Sequence, residues 1–280
     1  DNNTIYENLN MEEDIVNYDD KKEKEESSEN LPKFTLSTID KLQEVLGNTS
    51  YEIVRKSLYS QYGLITKEEE TNPNLYMITY NKSNRYTKHK VELTKEQKEI
   101  ISHYRGIIVE KDTNKPVCYT FSNMSRHFPD DITLEECKIM NSYDGSQIKV
   151  FYNSKKNDWI ISTTRRIDSS KSFYFTNKSF YEMWNESVSI DYNTLDKNCC
   201  YSFILQHPDN HVVARHSKPN IIHVLTRNMN TFQLEDVDIG IKRPEILTFS
   251  NKNEIWKSIK RMPHYKEGYV VQYNDTFIKL

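Results

Sequence analysis

Residues Ser142–Tyr152, SYDGSQIKVFY, place an Asp-Gly-Ser turn in front of an apolar, β-branched run. The run before the turn, CKIMNS from Cys137 to Ser142, has a similar strand-like composition. Gly145 can adopt a positive φ without a steric cost, and Asp144 can hydrogen-bond the backbone of the turn. Two strands joined by such a turn form a β-hairpin, so the stretch taken alone predicts an antiparallel pair.

Further strand-like runs lie on both sides of this turn and are rich in β-branched and aromatic residues. Two helical windows interrupt them, near Ser179–Ser187 and Asn253–Arg261. Strands in series with a few inserted helices predict an α+β domain built on antiparallel sheets. In chain order, the runs are LYMITY, YRGIIVE, VCYTF, WIIST, CYSFILQ, HVVARH, IIHVLT and GYVVQY.

Residues 1–31 are polar and dense in charge, and most of the charges are acidic. They lack periodic apolar spacing, so they cannot bury enough surface to offset the entropy lost on ordering. This composition predicts a disordered acidic tail. Such a tail can act as a solubilising leader, or it can dock on a protein partner through the segment around Ile15 and Tyr18.

Apolar residues at helical spacing over Leu36–Gly63 predict two short helices in front of the β-rich part. Ser37 is placed to cap the first helix, Gly47 to end it, and the glycine that closes the range to end the second. Neither an internal repeat nor a Pro- or Gly-rich linker follows. We therefore expect residues 32–280 to form one domain, with residues 32–70 as its helical N-terminal part.

The overall composition excludes several classes of protein and leaves the partner open. A net charge of -3 and an isoelectric point near 6.3 favour neither a basic nor an acidic partner. No apolar stretch approaches the roughly 18 residues of a membrane span, so we expect no membrane association. The four cysteines and the histidines match no metal-binding pattern, and the cysteines no dense disulfide framework. We expect no metal site and a reducing, cytoplasmic compartment, with a viral factory or a virion as further possibilities.

Four segments, in this order and at these separations, resemble the adenylyltransferase domain of RNA ligases, especially the phage RNA ligase 1 (tRNA-repair) family. They are HYRGIIVEKDTNKPVCYTFSNMSRHF, SYDGSQIKVFY, YSFILQHPDNHVV and KEGYVVQYNDTFIKL. The resemblance covers about Leu75 to Leu280 and implies the antiparallel-sheet fold of the covalent nucleotidyltransferases, which also include DNA ligases and capping enzymes. It further implies ATP or GTP with Mg²⁺ as the cofactor, and a nucleotide or an RNA as the partner.

The same resemblance implies a set of seven nucleotide- or phosphate-binding residues. The family's arginine–glycine pair contacts the nucleotide, further basic residues face phosphate, and an acidic–glycine pair lies near the purine and the metal. Four cations in one cleft would repel one another, so we expect those of this set to converge around an anion. The set is Arg105, Arg126, Asp144, Gly145, Arg165, Glu267 and Lys279.

Two positions depart from the family's pattern, and both bear on catalysis. The family attacks the α-phosphate with a lysine two residues before the Asp of the turn, where this chain has Ser142. The preceding lysine, Lys138, is about 13 Å away at about 3.3 Å per strand residue, too far to replace it. Ile204 stands where the family places a glutamate, which removes a charge and an acceptor. We therefore expect no catalytic residue, in a site that is kept for binding anions.

The leading hypothesis is a catalytically inactive RNA-ligase-like domain that binds a nucleotide or an RNA end. One alternative is a cap-binding or RNA 5′-end-binding subunit, because capping enzymes share the fold. A second is an active ATP-dependent RNA ligase whose lysine has been replaced by Ser142 in this sequence alone. A third is a structural scaffold of a viral or multisubunit particle, with the acidic tail as its tether. We expect no separate C-terminal domain within these residues.

Two other features allow both a binding and a structural interpretation. The basic stretch KSIKRMPHYK, Lys257–Lys266, can contact an RNA backbone or form an ordinary solvated helix face. Tyr143, Tyr152 and Tyr201 can stack on a base or pack within a sheet. The sequence leaves both questions open.

Overall fold

The structure, a computed structural model, describes residues 30–80, 91–121, 124–210 and 215–280, and these contain twelve strands and five α-helices. The strands are β1 (Leu64–Lys67), β2 (Leu75–Tyr80), β3 (Ile107–Glu110), β4 (Pro116–Cys118), β5 (Lys138–Asn141), β6 (Ser146–Asn153), β7 (Asp158–Thr163), β8 (Cys199–Gln206), β9 (Asn220–Asn228), β10 (Ile246–Leu247), β11 (Tyr269–Tyr273) and β12 (Thr276–Lys279). The helices are α1 (Leu42–Leu46), α2 (Tyr51–Tyr62), α3 (Lys95–Ser102), α4 (Phe180–Ser187) and α5 (Lys252–Arg261).

The strands form three four-stranded sheets, within which every strand pair is antiparallel. The N-terminal sheet has the order β1-β2-β3-β4, the central sheet β7-β6-β8-β9, and the C-terminal sheet β10-β5-β11-β12. The expected α+β class with antiparallel sheets is confirmed. These sheets and the helices belong to one compact unit, Lys33–Leu280.

The N-terminal and central sheets pack face to face, with α1 and α2 on the outer side of the first sheet and α4 on the outer side of the second. Tyr76 and Ile78 pack against α1 and α2, whereas their neighbours on the opposite face of β2 join Phe151 of β6. On the other face of β6, Ile148 and Val150 pack against α4. Successive residues of a strand point to opposite faces, so the central sheet is covered on both sides. The odd-numbered residues of β6 therefore face the N-terminal sheet.

The C-terminal sheet has a core of its own, in which Ile139 and Val271 pack against Ile255 of α5. The Asp-Gly turn connects this sheet to the central one, because β5 pairs with β10 and β11 while β6 pairs with β7 and β8. The hairpin expected from the turn alone is therefore wrong. Turn chemistry encodes a change of direction, but it does not encode which strand becomes the partner.

The helical N-terminal part contains both expected helices, which end at Gly47 and Gly63 as predicted. The expected cap Ser37 is wrong, because the residue at the N-cap position of the short 3₁₀ turn Ile39–Lys41 is Thr38. The Thr38 side chain makes no capping hydrogen bond. The expected windows for α4 and α5 are confirmed. The sequence missed β1 within this part, and it missed α3 further along the chain.

Two expectations fall on parts of the chain outside the described residues. The acidic tail lies there almost entirely, and so do the first four residues of the HVVARH run. Within the described ranges, no helix is both long enough and apolar enough to cross a membrane.

Candidate nucleotide site

The segment Ser142–Gly145 runs from the C-terminal sheet to the central sheet and is fixed to both. The Ser142 N–H donates to the carbonyl oxygen of Gly268 at 3.0 Å, next to the start of β11. At the other end, the carbonyl oxygen of Asp144 accepts a hydrogen bond from Gln206 Nε2 at 2.9 Å. Position 142 is therefore held through its backbone, at the junction of two sheets.

Gly145 lies too close to β8 for any other residue to fit without a shift. Its φ is 147°, and a Cβ there would lie 2.4 Å from the carbonyl oxygen of Leu205 and 2.7 Å from Cγ2 of Ile204. Ile204 thus packs an aliphatic side chain against the turn, at the position where the ligase resemblance implies a glutamate. The turn keeps its glycine for a packing reason, and its surroundings at Ile204 are apolar.

Asp144 is almost completely buried, with 8% of its surface exposed. The Nε2 atom of His216 lies 3.7 Å from its carboxylate, and this nitrogen is buried without a hydrogen-bond partner among the described residues. The contact becomes an ion pair only when the imidazole is protonated. The place of His216 beside Asp144 has no signal in the sequence, because more than seventy residues separate the two.

The Arg105–Gly106 turn packs against the Thr164–Arg165 segment that follows β7. Gly106 has a φ of 69°, and a Cβ on it would lie 2.6 Å from the carbonyl oxygen of Thr164. This close approach brings Arg105, which is partly buried, and Arg165, which is exposed, onto adjacent pieces of backbone. The backbones of two of the four expected cations therefore lie next to one another.

Lys149 is fully buried beneath this turn, and its Nζ donates to the carbonyl oxygen of Gly106. Burial lowers the pKa of Lys149; the nearby Cys118 and Cys200 act in the opposite direction, and Arg105 adds to the lowering. A lysine in a strand between Ile148 and Val150 looks exposed in the sequence, yet its face of β6 is covered by the N-terminal sheet.

A group of hydrogen-bonded polar side chains lies on the same face of β6 around Gln147, which is two residues nearer to the Asp-Gly turn than Lys149 is. Gln147 Nε2 donates to the hydroxyl oxygens of Thr120 at 3.0 Å and of Ser202 at 2.9 Å. Gln147 stands directly opposite Ile204 in the register of β6 and β8. The sheet surface beside the turn therefore carries hydrogen-bonded polar side chains, although Ile204, at the position of the family's glutamate, is apolar.

The remaining predicted site residues lie on the C-terminal sheet. Lys279 Nζ is 2.8 Å from a carboxylate oxygen of Glu267, so this acid and this base neutralise one another. The Lys279 N–H donates at 2.8 Å to the carbonyl oxygen of Ser125, which brings the next residue, Arg126, alongside β12. Arg126 is exposed and makes no ion pair with any described carboxylate.

The structure therefore collects the predicted residues in two groups. Arg105 and Arg165 lie where the N-terminal and central sheets meet, while Arg126, Glu267 and Lys279 lie on the C-terminal sheet. The Ser142–Gly145 segment connects the two sheet systems. Convergence of all four cations on one bound anion stays a prediction.

The described residues hold no cluster of three His, Cys, Asp or Glu side chains that could bind a metal on its own. Of the two carboxylates in the predicted set, Asp144 contacts His216 and Glu267 contacts Lys279. Mg²⁺ is commonly held by one or two carboxylates together with the phosphates of a nucleotide. The residues present do not form a metal site without a nucleotide.

The comparison with solved structures agrees with this architecture. The fold is similar to that of ATP-dependent RNA ligases. Two structures of an archaeal ATP-dependent RNA ligase match 87% of this chain and 64% of theirs, with TM-scores of 0.52 and 0.53 at 11% identity. At this level of identity the likeness concerns the fold alone.

The comparisons by sequence are more limited. No protein-family model matches the chain. An immediate-early protein ICP-46 homolog from Invertebrate iridescent virus 3 is 24% identical over 214 residues, which are 66% of this chain and 47% of that protein. The chain thus spans about half the length of this viral relative.

Proposed function

We propose that this RNA-ligase-like domain binds a nucleotide or an RNA end reversibly and forms no covalent adduct with it. The observation that carries the proposal is Ser142, which occupies the junction where the family's nucleophilic lysine is expected. A serine hydroxyl needs a neighbouring base to become a nucleophile, and no described base hydrogen-bonds this hydroxyl. Asp144 and Gly145 match the Asp-Gly pair of the family in sequence.

Neither neighbouring lysine can supply the missing amine. Lys138 pairs with Gln272 at the opposite end of β5 from Ser142. Lys149 is buried, and its Nζ already donates to Gly106. A lowered pKa favours a nucleophilic amine, but a buried amine that is occupied by a carbonyl group cannot reach an α-phosphate in the cleft. Reversible binding is then the chemistry left to the site.

The cations around the two sheets support an anionic ligand. Arg105 and Arg165 are arginines, which bind phosphate through two hydrogen bonds and do not act as nucleophiles. Arg126 offers an exposed guanidinium beside Lys279. ATP or GTP with Mg²⁺ fits this arrangement, and the archaeal ligases of similar fold are named as ATP-dependent.

Incubation with α-labelled ATP or GTP and Mg²⁺, followed by a denaturing gel, tests the absence of an adduct directly. We expect no label on the protein, because loss of a nucleophile typically removes about three to six orders of magnitude in rate. An active RNA ligase is the positive control. An acid-stable labelled band that maps to a lysine would contradict the proposal.

Equilibrium titration with ATP, GTP, a capped dinucleotide and a short 5′-phosphorylated RNA tests the binding itself. Affinity should fall as salt is raised, and it should fall further in Arg105→Ala and Lys279→Ala. Preference for the capped ligand would favour the cap-binding alternative. Absence of binding to all four ligands at low salt would instead favour the structural-scaffold alternative.

A further inference from the structure

The outer face of α5 and the turn after it carry a group of cations and aromatic rings. We call this group the α5 patch, and all of its members are exposed. The Trp256 side chain is 42% exposed and that of Tyr265 60%, which is unusual for rings of this size. The patch consists of Trp256, Lys257, Lys260, Arg261, Tyr265 and Lys266.

Helix geometry groups these side chains on one side of α5. Trp256 and Lys260 are four residues apart, as are Lys257 and Arg261, and such pairs lie about 5–6 Å from one another on a helix surface. Ile255 points the other way and is completely buried against the C-terminal sheet. The patch is therefore the solvent side of an otherwise well-packed helix.

The patch is not neutralised by the rest of the protein. None of its four cations forms an ion pair with a carboxylate of the described residues. Elsewhere on the surface, Lys111 pairs with Glu68 and Lys155 with Asp112. Cations in the last turn of a helix interact favourably with its dipole. That effect accounts for Lys260 and Arg261, but not for Lys257, Lys266 or the exposed rings.

The chain leads directly from the patch into the candidate nucleotide site. Lys266 precedes Glu267, which contacts Lys279, and the next residue, Gly268, binds the backbone of Ser142. The C-terminal end of the patch is therefore joined to the backbone of Ser142 through three consecutive residues, Lys266 to Gly268. An acidic protein would satisfy the cations but would leave the exposed tryptophan without a partner.

We propose that the α5 patch binds the single-stranded part of an RNA whose end occupies the nucleotide site. Proteins that bind single strands combine cations along the phosphate backbone with aromatic rings on which bases stack. Lys257, Lys260 and Arg261 contact phosphates, and Trp256 stacks on a base. This inference rests on the proposed function, because the nucleotide site fixes where the strand begins.

Fluorescence anisotropy with a labelled 12-nucleotide single-stranded RNA carrying a 5′-phosphate, titrated with the full chain over a salt series, tests the patch. Trp256→Ala should weaken binding about 5- to 150-fold, which corresponds to one stacked base. Lys257→Ala with Arg261→Ala should lower the slope of log affinity against log salt by about 1.4, or about 0.7 for each lost phosphate contact. Tyr181→Ala, an exposed ring on α4, and Lys155→Ala are matched controls and should bind as the parent chain does.

Two results would overturn the inference: unchanged RNA affinity in both patch variants, or equal competition by heparin together with an unchanged affinity of Trp256→Ala. The second result would indicate an acidic protein surface instead. ATP binding, measured in parallel by equilibrium dialysis, separates this inference from the proposed function. Patch variants should keep their ATP affinity while Lys279→Ala loses it. Loss of ATP binding alone, with RNA binding that still depends on the patch, would count against the nucleotide site and not against the patch.

Discussion

An ion pair between the buried Arg227 and the partly exposed Asp275 joins the central sheet to the C-terminal sheet. Two guanidinium nitrogens of Arg227, on β9, each lie 2.7 Å from a carboxylate oxygen of Asp275, in the turn between β11 and β12. The same nitrogens also donate to the carbonyl oxygens of Phe232 at 2.7 Å and Thr120 at 2.6 Å. Burial alone lowers the pKa of Arg227, but the pair with Asp275 outweighs burial and the net shift is upward. The guanidinium therefore stays charged.

Replacing Arg227 should lower the stability of the protein more than replacing Asp275. Arg227 is completely buried, whereas the Asp275 side chain is 53% exposed, so water screens part of the interaction. Arg227→Met removes the charge and the hydrogen bonds that the guanidinium donates to three carbonyl groups, those of Tyr119, Thr120 and Phe232, and should lower the free energy of unfolding by about 3–5 kcal/mol. Asp275→Asn keeps the shape and one acceptor, and should cost about 1–2 kcal/mol after allowance for exposure.

Urea unfolding followed by tryptophan fluorescence at pH 7 measures both changes. The control is Arg243→Met, which breaks an exposed pair with Asp236 and should cost less than about 1 kcal/mol. Under native conditions, Asp275→Asn should also weaken nucleotide binding, because the two groups of site residues lie on the sheets that the pair joins. A loss of stability in Arg227→Met no larger than that of the exposed control would contradict this prediction.

Three other predictions concern pH, packing and catalysis. Burial lowers the pKa of His223 to about 4, and Arg243 adds to this lowering. The unfolded chain therefore takes up a proton at a higher pH than the folded protein, and the free energy of unfolding should fall by up to about 3 kcal/mol from pH 6.5 to 4. Urea unfolding at several pH values should show a smaller fall in His223→Gln. Gly145→Ala should lower the free energy of unfolding by about 1–3 kcal/mol more than Gly240→Ala does. Both glycines have a positive φ, but only at Gly145 would a Cβ meet another residue. Equal losses of stability in the two variants would exclude the close approach as the reason. Ser142→Lys alone should not restore full RNA ligation in a gel assay, because Ile204 still supplies no carboxylate, and robust ligation by this variant would show that Ile204 is immaterial.

A strand could be predicted from the sequence where the pattern of residues within and next to it is enough to define it. The run LYMITY predicts β2 at its observed bounds, because a buried strand needs only a short apolar, β-branched segment between turn residues. Helix α3 was missed because its partly buried apolar contacts come from just Ile100 and Ile101. A local signal was nevertheless present, since Thr94 and Gln97 form a capping box at its start.

Contacts between distant segments could not be predicted in the same way. Alternation along β6 makes Lys149 look like a solvent-facing residue, and only the packing of a second sheet on that face buries it. Arg227 belongs to the same class, because its partner Asp275 is 48 residues away in the sequence. Local pattern thus gave the elements, whereas the pairing of strands and the burial of charges depend on how those elements pack.

The retention of the Asp-Gly turn does not by itself support nucleotide binding. Gly145 is required by the close approach of Leu205, and the Asp144 carboxylate contacts the buried Nε2 of His216, so both positions have structural reasons to keep their residues. Within the described residues, Ser142 is hydrogen-bonded through its backbone N–H and not through its side chain, so we expect substitution of its side chain to leave the fold intact. The support for an anionic ligand therefore comes from cations such as Arg126, which is exposed and has no described carboxylate partner. Substitutions at these cations, rather than in the turn, are the ones that separate a binding domain from a scaffold.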